Sequence, residues 1–269
     1  KLPGLSIMQN SGQPGEEDFQ LRLRGASTMN GQNPLILVDG VPREDLSLLD
    51  PNEIATISIL KDASATAVFG VRGANGVILV TTKVGEQEKP SLSVSAEYGI
   101  QEFTKNYEMM DSWQYATLYN QALMNDGLPV KYSDRQIQLY KDGTNPYYAN
   151  TDWFSEIYKG SSFSQEHNFS VSGGGDKFNY YASLGYLDQN GLLRHGSDDL
   201  KRYNATAKFG AELTKWLKFN YSLRYVRQDL GRPTNFGGGL YERIGRQTWP
   251  NLPVYDENGY YFNGNADTP

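Results

Sequence analysis

Ser91-Leu92-Ser93-Val94-Ser95-Ala96-Glu97-Tyr98-Gly99-Ile100-Gln101-Glu102-Phe103 alternates without a break as far as Gln101. Leu92, Val94, Ala96, Tyr98 and Ile100 fall on one face of an extended chain, and Ser93, Ser95, Glu97, Gly99 and Gln101 on the other. Successive side chains of a strand point to opposite faces, so this period of two predicts a β-strand. The same grammar returns over 177–189, 202–213 and 217–227, and more weakly over 166–173. These strands run about 10 to 13 residues, beyond the five or six usual in a globular sheet. About 9–11 tilted residues cross a bilayer, and membrane barrels alternate apolar-out with polar-in. A soluble sandwich alternates too, so the pattern alone leaves both open. Connection lengths favour the barrel. A long segment, 104–165, is followed by a tight turn at 173–176, a medium loop at 190–201, a tight turn at 214–216 and a Gly-rich segment after Arg227. Short turns at one end of the strands and long loops at the other are what a membrane barrel shows. On this reading 104–165 is an outer loop, and Tyr98, Phe103, Phe178, Tyr186, Tyr203 and Tyr225 form interfacial girdles.

Composition agrees with strands rather than helices as the membrane element. The 269 residues include 28 Gly and 19 Tyr, carry a formal net charge of -6 and have a mean hydropathy of -0.59. The longest apolar run, Val77-Ile78-Leu79-Val80, is far short of the roughly 20 residues a spanning helix needs. With no Cys, disulfides, thiolate metal sites and Cys nucleophiles are all excluded. No basic stripe exists to neutralise phosphates, which argues against nucleic-acid binding. The opening Lys1-Leu2-Pro3-Gly4-Leu5 lacks the apolar region of a signal peptide, and the expectation is a fragment of a longer protein.

Residues 4–84 read differently, as short strands around one short helix. Strands are predicted at 5–9, 20–24, 35–38, 54–60 and 77–82, with a turn at Asp39-Gly40-Val41-Pro42. Asp62 is placed to cap a helix over 63–69 that Gly70 and Gly73 end. The expected fold class is therefore an α+β module followed by antiparallel strands of an incomplete transmembrane β-barrel. The expected division is 1–85 and 86–269.

Leu21-Arg22-Leu23-Arg24-Gly25, Pro34-Leu35-Ile36-Leu37-Val38-Asp39-Gly40-Val41-Pro42 and Pro51-Asn52-Glu53-Ile54 follow one another in this order. After them comes Leu60-Lys61-Asp62-Ala63-Ser64-Ala65-Thr66-Ala67-Val68-Phe69-Gly70, continuing through Arg72-Gly73-Ala74-Asn75-Gly76 to Thr82-Lys83. This series resembles the plug of SusC/RagA-type TonB-dependent outer-membrane transporters, with Val71 standing where that branch often has Ser. Asn150-Thr151-Asp152-Trp153 and Leu184-Gly185-Tyr186-Leu187-Asp188-Gln189-Asn190-Gly191 resemble the family's early barrel. The resemblance implies a plug inside a barrel of roughly 22 strands. It also implies the outer membrane of a Gram-negative bacterium, of the Bacteroidota, and TonB-dependent import of an oligosaccharide or peptide. Implied partners are a SusD-like lipoprotein lid, TonB of the TonB-ExbB-ExbD complex through a TonB box, outer-membrane lipid and a second SusC-SusD pair. A structural or adhesive outer-membrane protein, or a soluble glycan-binding sandwich, remains the alternative.

The candidate plug–barrel contacts are Arg22, Arg24, Asp39, Lys61, Asp62 and Arg72, beside the simpler reading of turn former, helix cap or solvated charge. Trp113, Tyr115, Tyr147, Tyr148 and Trp153 are candidate substrate or lid contacts, beside the reading that the loop packs on itself. No enzyme, cofactor or metal site is expected. Neither Gly-rich stretch has the Lys-Ser/Thr of a phosphate cradle, and His167 and His195 lack ligand spacing. Glu16-Glu17-Asp18 reads as a solvated acidic turn.

Overall fold

A computed structural model describes residues 6–9, 12–15, 19–22, 33–44, 46–61, 66–105, 108–145, 147–233, 240, 243–244, 247–256 and 258–262. The chain forms two compact units, one of residues 1–101, 163–191 and 198–232, the other of 102–162, 192–197 and 233–269.

The first unit holds the short-strand module and the long strands together. β1 (Ser6–Gln9) and β2 (Phe19–Arg22) pair as an antiparallel hairpin. A four-stranded sheet has the order β4 (Val41–Arg43), β3 (Leu35–Val38), β6 (Val77–Thr82), β5 (Ile54–Leu60). β3 and β6 run parallel, and β5 is antiparallel to β6. β6 has both faces covered, with Val77 on one and Ile78, Val80 and Thr82 on the other all buried, which explains its near-continuous apolar run. Ile36, Val38, Leu49, Ile78 and Val80 form the core, with Leu46, Ile54, Ile57 and Ile59 against it.

Asp39-Gly40 does more than stop β3. Both residues have positive φ, 49° and 82°, as a two-residue hairpin turn of matching twist requires. The chain therefore returns as β4 instead of leaving as a loop, with Pro42 on an edge strand where no ladder N–H is missed. Of the expected helix at 63–69 and its cap Asp62, residues 62–65 lie outside the described residues. The remainder is a 3-10 helix, Ala67–Gly73, that continues past Gly70 across a kink at that residue (φ 57°, ψ -144°).

The long strands form a five-stranded meander in the order β11-β10-β9-β8-β7. These are β7 (Ser91–Glu102), β8 (Ser161–Gly174), β9 (Phe178–Asn190), β10 (Asp199–Glu212) and β11 (Lys218–Leu230), of 12 to 14 residues each. β8, β10 and β11 run longer than their alternation predicts. Their polar ends look like loop by composition, yet backbone pairing continues, as at Ser164–Gln189 and Leu200–Leu230. Ladder bonds do not depend on side-chain type.

Exposure on this sheet is inverted relative to a soluble protein. Ile100, Leu184 and Leu223 are 75%, 60% and 53% exposed, whereas Asn204 and Thr206 on the other face are 6% and 4% exposed. Over β9 and β10 the polar face is covered by the N-terminal module while the apolar face is open, which a soluble sandwich would reverse.

The second unit carries α1 (Ser112–Asn125), α2 (Asp134–Asp142) and α3 (Trp153–Ile157). Ser133 and Gln136 form a capping box at the start of α2, and Gly143 closes it in the left-handed conformation. Asp152 caps α3 by accepting from the Phe154 and Ser155 amides. Two small cores hold this unit: Phe154, Tyr158, Leu192, Leu193 and Ile244 in one, and Ala116, Tyr132 and Tyr140 in the other.

Candidate functional site

The polar seam between the N-terminal module and the strand wall brings together charged side chains from both, among them the buried Glu53. On the wall, Ser183, Thr206 and Arg224 are partners across β9, β10 and β11, and Lys208 lies two residues along β10 on the same face. From the module come Asp39 at the β3–β4 turn, Thr82 at the end of β6 and Glu53 at the end of a 3-10 turn, Pro51–Glu53. Asp50 starts that turn by accepting from the Asn52 amide at 2.8 Å, with Pro51 at its first position. This local cap aims Glu53 at the wall.

Glu53 is 2% exposed. Its Oε1 accepts from Ser183 Oγ at 2.6 Å, and its Oε2 pairs with Arg224 Nη2 at 3.4 Å. Asp39 Oδ1 accepts from the Thr82 amide at 2.8 Å. Its Oδ2 accepts from Thr82 Oγ1 at 2.6 Å and Lys208 Nζ at 3.0 Å. Lys208 and Arg224 also donate to Thr82 Oγ1. Further along, Arg202 Nη1 donates to the Ser47 carbonyl at 2.7 Å, and Asn52 Nδ2 to Glu166 Oε1 at 3.4 Å. Ion pairs in such a seam make geometry specific while adding little net stability, because desolvation opposes the Coulomb gain.

Burial raises the Asp39 pKa, but the Thr82 hydroxyl and amide and the Lys208 ammonium outweigh it, leaving the carboxyl below the ordinary aspartate range. A depressed folded value means that the charged form stabilises the seam above the unfolded pKa. That contribution is lost as pH falls through the folded value. Attachment through Asp39 is therefore expected to be indifferent to pH around neutrality and to fail only in strong acid. Asp39→Asn keeps a residue that tolerates positive φ but removes the charge, so it should show the weakened attachment already at pH 7 and flatten the acid limb. Protease accessibility of the module against pH checks both.

Two glycines allow close approaches along the seam, Gly85 to backbone and Gly185 to a carboxylate side chain. A Cβ at Gly85, after β6, would lie 2.2 Å from the Tyr180 carbonyl oxygen of β9. One at Gly185 would lie 2.5 Å from Asp50 Oδ2. Gly85→Ala cannot be absorbed by a side-chain rotation and is expected to cost about 1–3 kcal/mol. Thermal or urea unfolding should show a larger packing loss for Gly85→Ala than for Gly40→Ala, since nothing lies within 4 Å of a Cβ at Gly40 and the cost there is its positive φ.

Of the six plug candidates, Asp39 lies in the seam. Lys61 and Arg72 are exposed and, among the described residues, do not join it. Arg22 lies in β2, described by its backbone alone, and Arg24 and Asp62 lie outside the described residues, as do Glu16-Glu17-Asp18. Glu53, Thr82, Ser183, Lys208 and Arg224 are not among those candidates. The available signal was a long basic side chain at a polar-face position of an alternating strand, as at Lys208 and Arg224.

Among the aromatic candidates, Trp113, Tyr115 and Tyr148 pack against the Ala116–Tyr132–Tyr140 cluster. Trp153 packs on the Phe154 cluster and donates Nε1 to the Trp249 carbonyl at 2.8 Å. Burial pushes the Tyr132 and Tyr140 hydroxyls up. Tyr147 is exposed. His167 sits in β8 with its ring 6.3 Å from that of Tyr186, and His195 is exposed in a loop. Among the described residues, no three His, Asp or Glu side chains are grouped to hold a metal ion.

Residues 1–77 match the family model described as the TonB-dependent Receptor Plug Domain. The chain is 33% identical to TonB-dependent receptor SusC of Bacteroides thetaiotaomicron over 98% of its own length and 25% of that protein. It is 32% identical to TonB-dependent receptor P3 of Formosa agariphila over 97% of its length and 24% of that protein. It thus spans about a quarter of the curated relatives it matches. Among solved structures, the RagAB peptide importer in its closed-closed state superposes with a TM-score of 0.76 at 24% identity, covering 97% of this chain and 32% of that one. That likeness carries the fold.

Proposed function

Because this chain belongs to the SusC/RagA-type TonB-dependent receptors, we propose that the whole protein imports an oligomeric nutrient across the outer membrane, driven by TonB. The observation that carries this reading is a plug module joined by partly buried ion pairs to the polar face of a sheet whose apolar face is open. Such a seam suits a part that must come away and return. Paired charges hold register, and water resolvates them when they separate.

Within this reading the apolar face meets lipid, with Tyr98, Tyr186 and Tyr203 in a girdle. Rings of Tyr186 and Tyr203 lie 5.2 Å apart on adjacent strands. Asp39 serves the seam through Lys208, and Arg22, Arg24, Lys61, Asp62 and Arg72 pair with other parts of the wall. The exposed Tyr147 is the loop aromatic best placed for substrate or lid, while Trp113, Tyr115, Tyr148 and Trp153 shape the loop. A SusD-like lipoprotein forms the lid, and the complex is a dimer of such pairs. Cargo is an oligosaccharide or a peptide. SusC-type relatives and the RagAB peptide importer frame that choice.

Uptake tests it. Deleting the full gene should abolish import of one oligomeric nutrient, and deleting TonB should do the same with the protein still in the membrane. Unchanged uptake in either strain would overturn the reading.

A further inference from the structure

The charge of the seam is divided unevenly between its two sides. On β9, β10 and β11 the inward face carries three cations away from the turns: Arg202, Lys208 and Arg224. Every acceptor described for them belongs to the plug, namely the Ser47 carbonyl, Asp39, Thr82 and Glu53. Their inward neighbours on the wall, Ser183, Asn204, Thr206 and Ser222, are uncharged. Glu212, the inward carboxylate of these strands, sits beside the β10–β11 turn and is paired with Lys218. On β8, Glu166 accepts from Asn52 and Asn168.

Lys208 and Arg224 are deeply set, their side chains 10% and 19% exposed. Arg224 still has donor capacity to spare, since its Nε is buried and makes no hydrogen bond among the described residues. When the plug gives way to cargo, Asp39 and Glu53 leave with it. The wall then presents Lys208 and Arg224 to the passage with no carboxylate of these strands beside them. A cation so placed, on the polar face of the wall, is stabilised by whichever anion next comes within reach. A guanidinium fork and an adjacent ammonium match carboxylate or sulfate oxygens well.

We propose that Lys208 and Arg224 are an anion-binding step on the translocation path. The plug's Asp39 and Glu53 occupy it at rest, and the cargo is an acidic oligomer whose carboxylates or sulfates replace them in transit. This rests on the import reading above and narrows its substrate class. The shared chemistry is a repeated anionic group, which a uronate or sulfated glycan or an acidic peptide would supply.

The experiment uses the full-length transporter with its own partner lipoprotein, in a strain lacking the native copy. Four labelled probes are compared: an oligogalacturonate against a maltodextrin of equal length, and a Glu-rich peptide against its Gln counterpart. One acidic probe should enter faster than its neutral partner by about tenfold, and which pair responds tells glycan from peptide. Lys208→Gln with Arg224→Gln should bring that preference down to about twofold. Asp39→Asn with Glu53→Gln loosens the same seam from the plug side but leaves the wall charges, so the preference should survive. Equal entry of acidic and neutral probes, or an equal loss of preference in both double variants, would reduce the seam to a latch and overturn the proposal. Absence of TonB-dependent entry for all four probes would defeat the import reading itself, and the anion step with it.

Discussion

Arg224→Met is expected to destabilise the packed plug by about 3–5 kcal/mol, the cost of leaving a buried carboxylate without its cation. The stranded group is Glu53, whose side chain is 3% exposed and whose other hydrogen bond is to Ser183. Serine cannot neutralise it. The deficit should shrink when the acid goes too: Arg224→Met with Glu53→Met should recover most of the loss, because two apolar side chains replace two desolvated charges. Release of the plug by urea, followed by protease cleavage in the folded full-length protein, measures both. If the double variant were as unstable as the single, the seam would depend on something other than this pair. Serine at 183 offers an internal comparison. Ser183→Ala removes one hydrogen bond to a charged group and should cost about 1.5–3 kcal/mol, less than losing the arginine.

Leu223→Arg should cost about 2–4 kcal/mol, the penalty for a charge at the middle of the lipid-facing band of a barrel. Leu223 is paired with Ala207, which is paired with Ala182 and lies four residues along β10 from both Tyr203 and Ala211. It thus sits midway between an outer row that includes Tyr186 and Tyr203 and an inner row that includes Phe178 and Phe219. Its neighbour Ser222 faces the opposite way, so Ser222→Arg should be tolerated far better. Heat-dependent gel migration after folding into lipid vesicles gives the comparison. The reverse order, with Ser222→Arg damaging and Leu223→Arg neutral, would mean that the face assigned to lipid is the lumen.

These two substitutions differ in how much of their basis could be read from the chain. The facing of Leu223 is legible because a strand reverses its side chains at every residue, a local rule that needs no partner. The β3–β4 hairpin was half legible: Asp39-Gly40 signalled a turn, but its positive φ at both residues, and hence the return as β4, follows from how the turn twists. The polar ends of β8 and β10 were hidden because their composition resembles loop while their backbone pairs.

The alternation of apolar and polar residues determined the long strands and their two faces, and contiguous runs such as residues 60–70 carried the resemblance to the plug, since each depends on neighbours a few residues apart. Only the tertiary structure decided that Glu53 meets Arg224 and Ser183, the latter 130 residues away, and that Asp39 meets Lys208. Such pairs depend on strand register and on how the module seats against the wall. Both come from summed packing over the whole unit, so no local spacing encodes them.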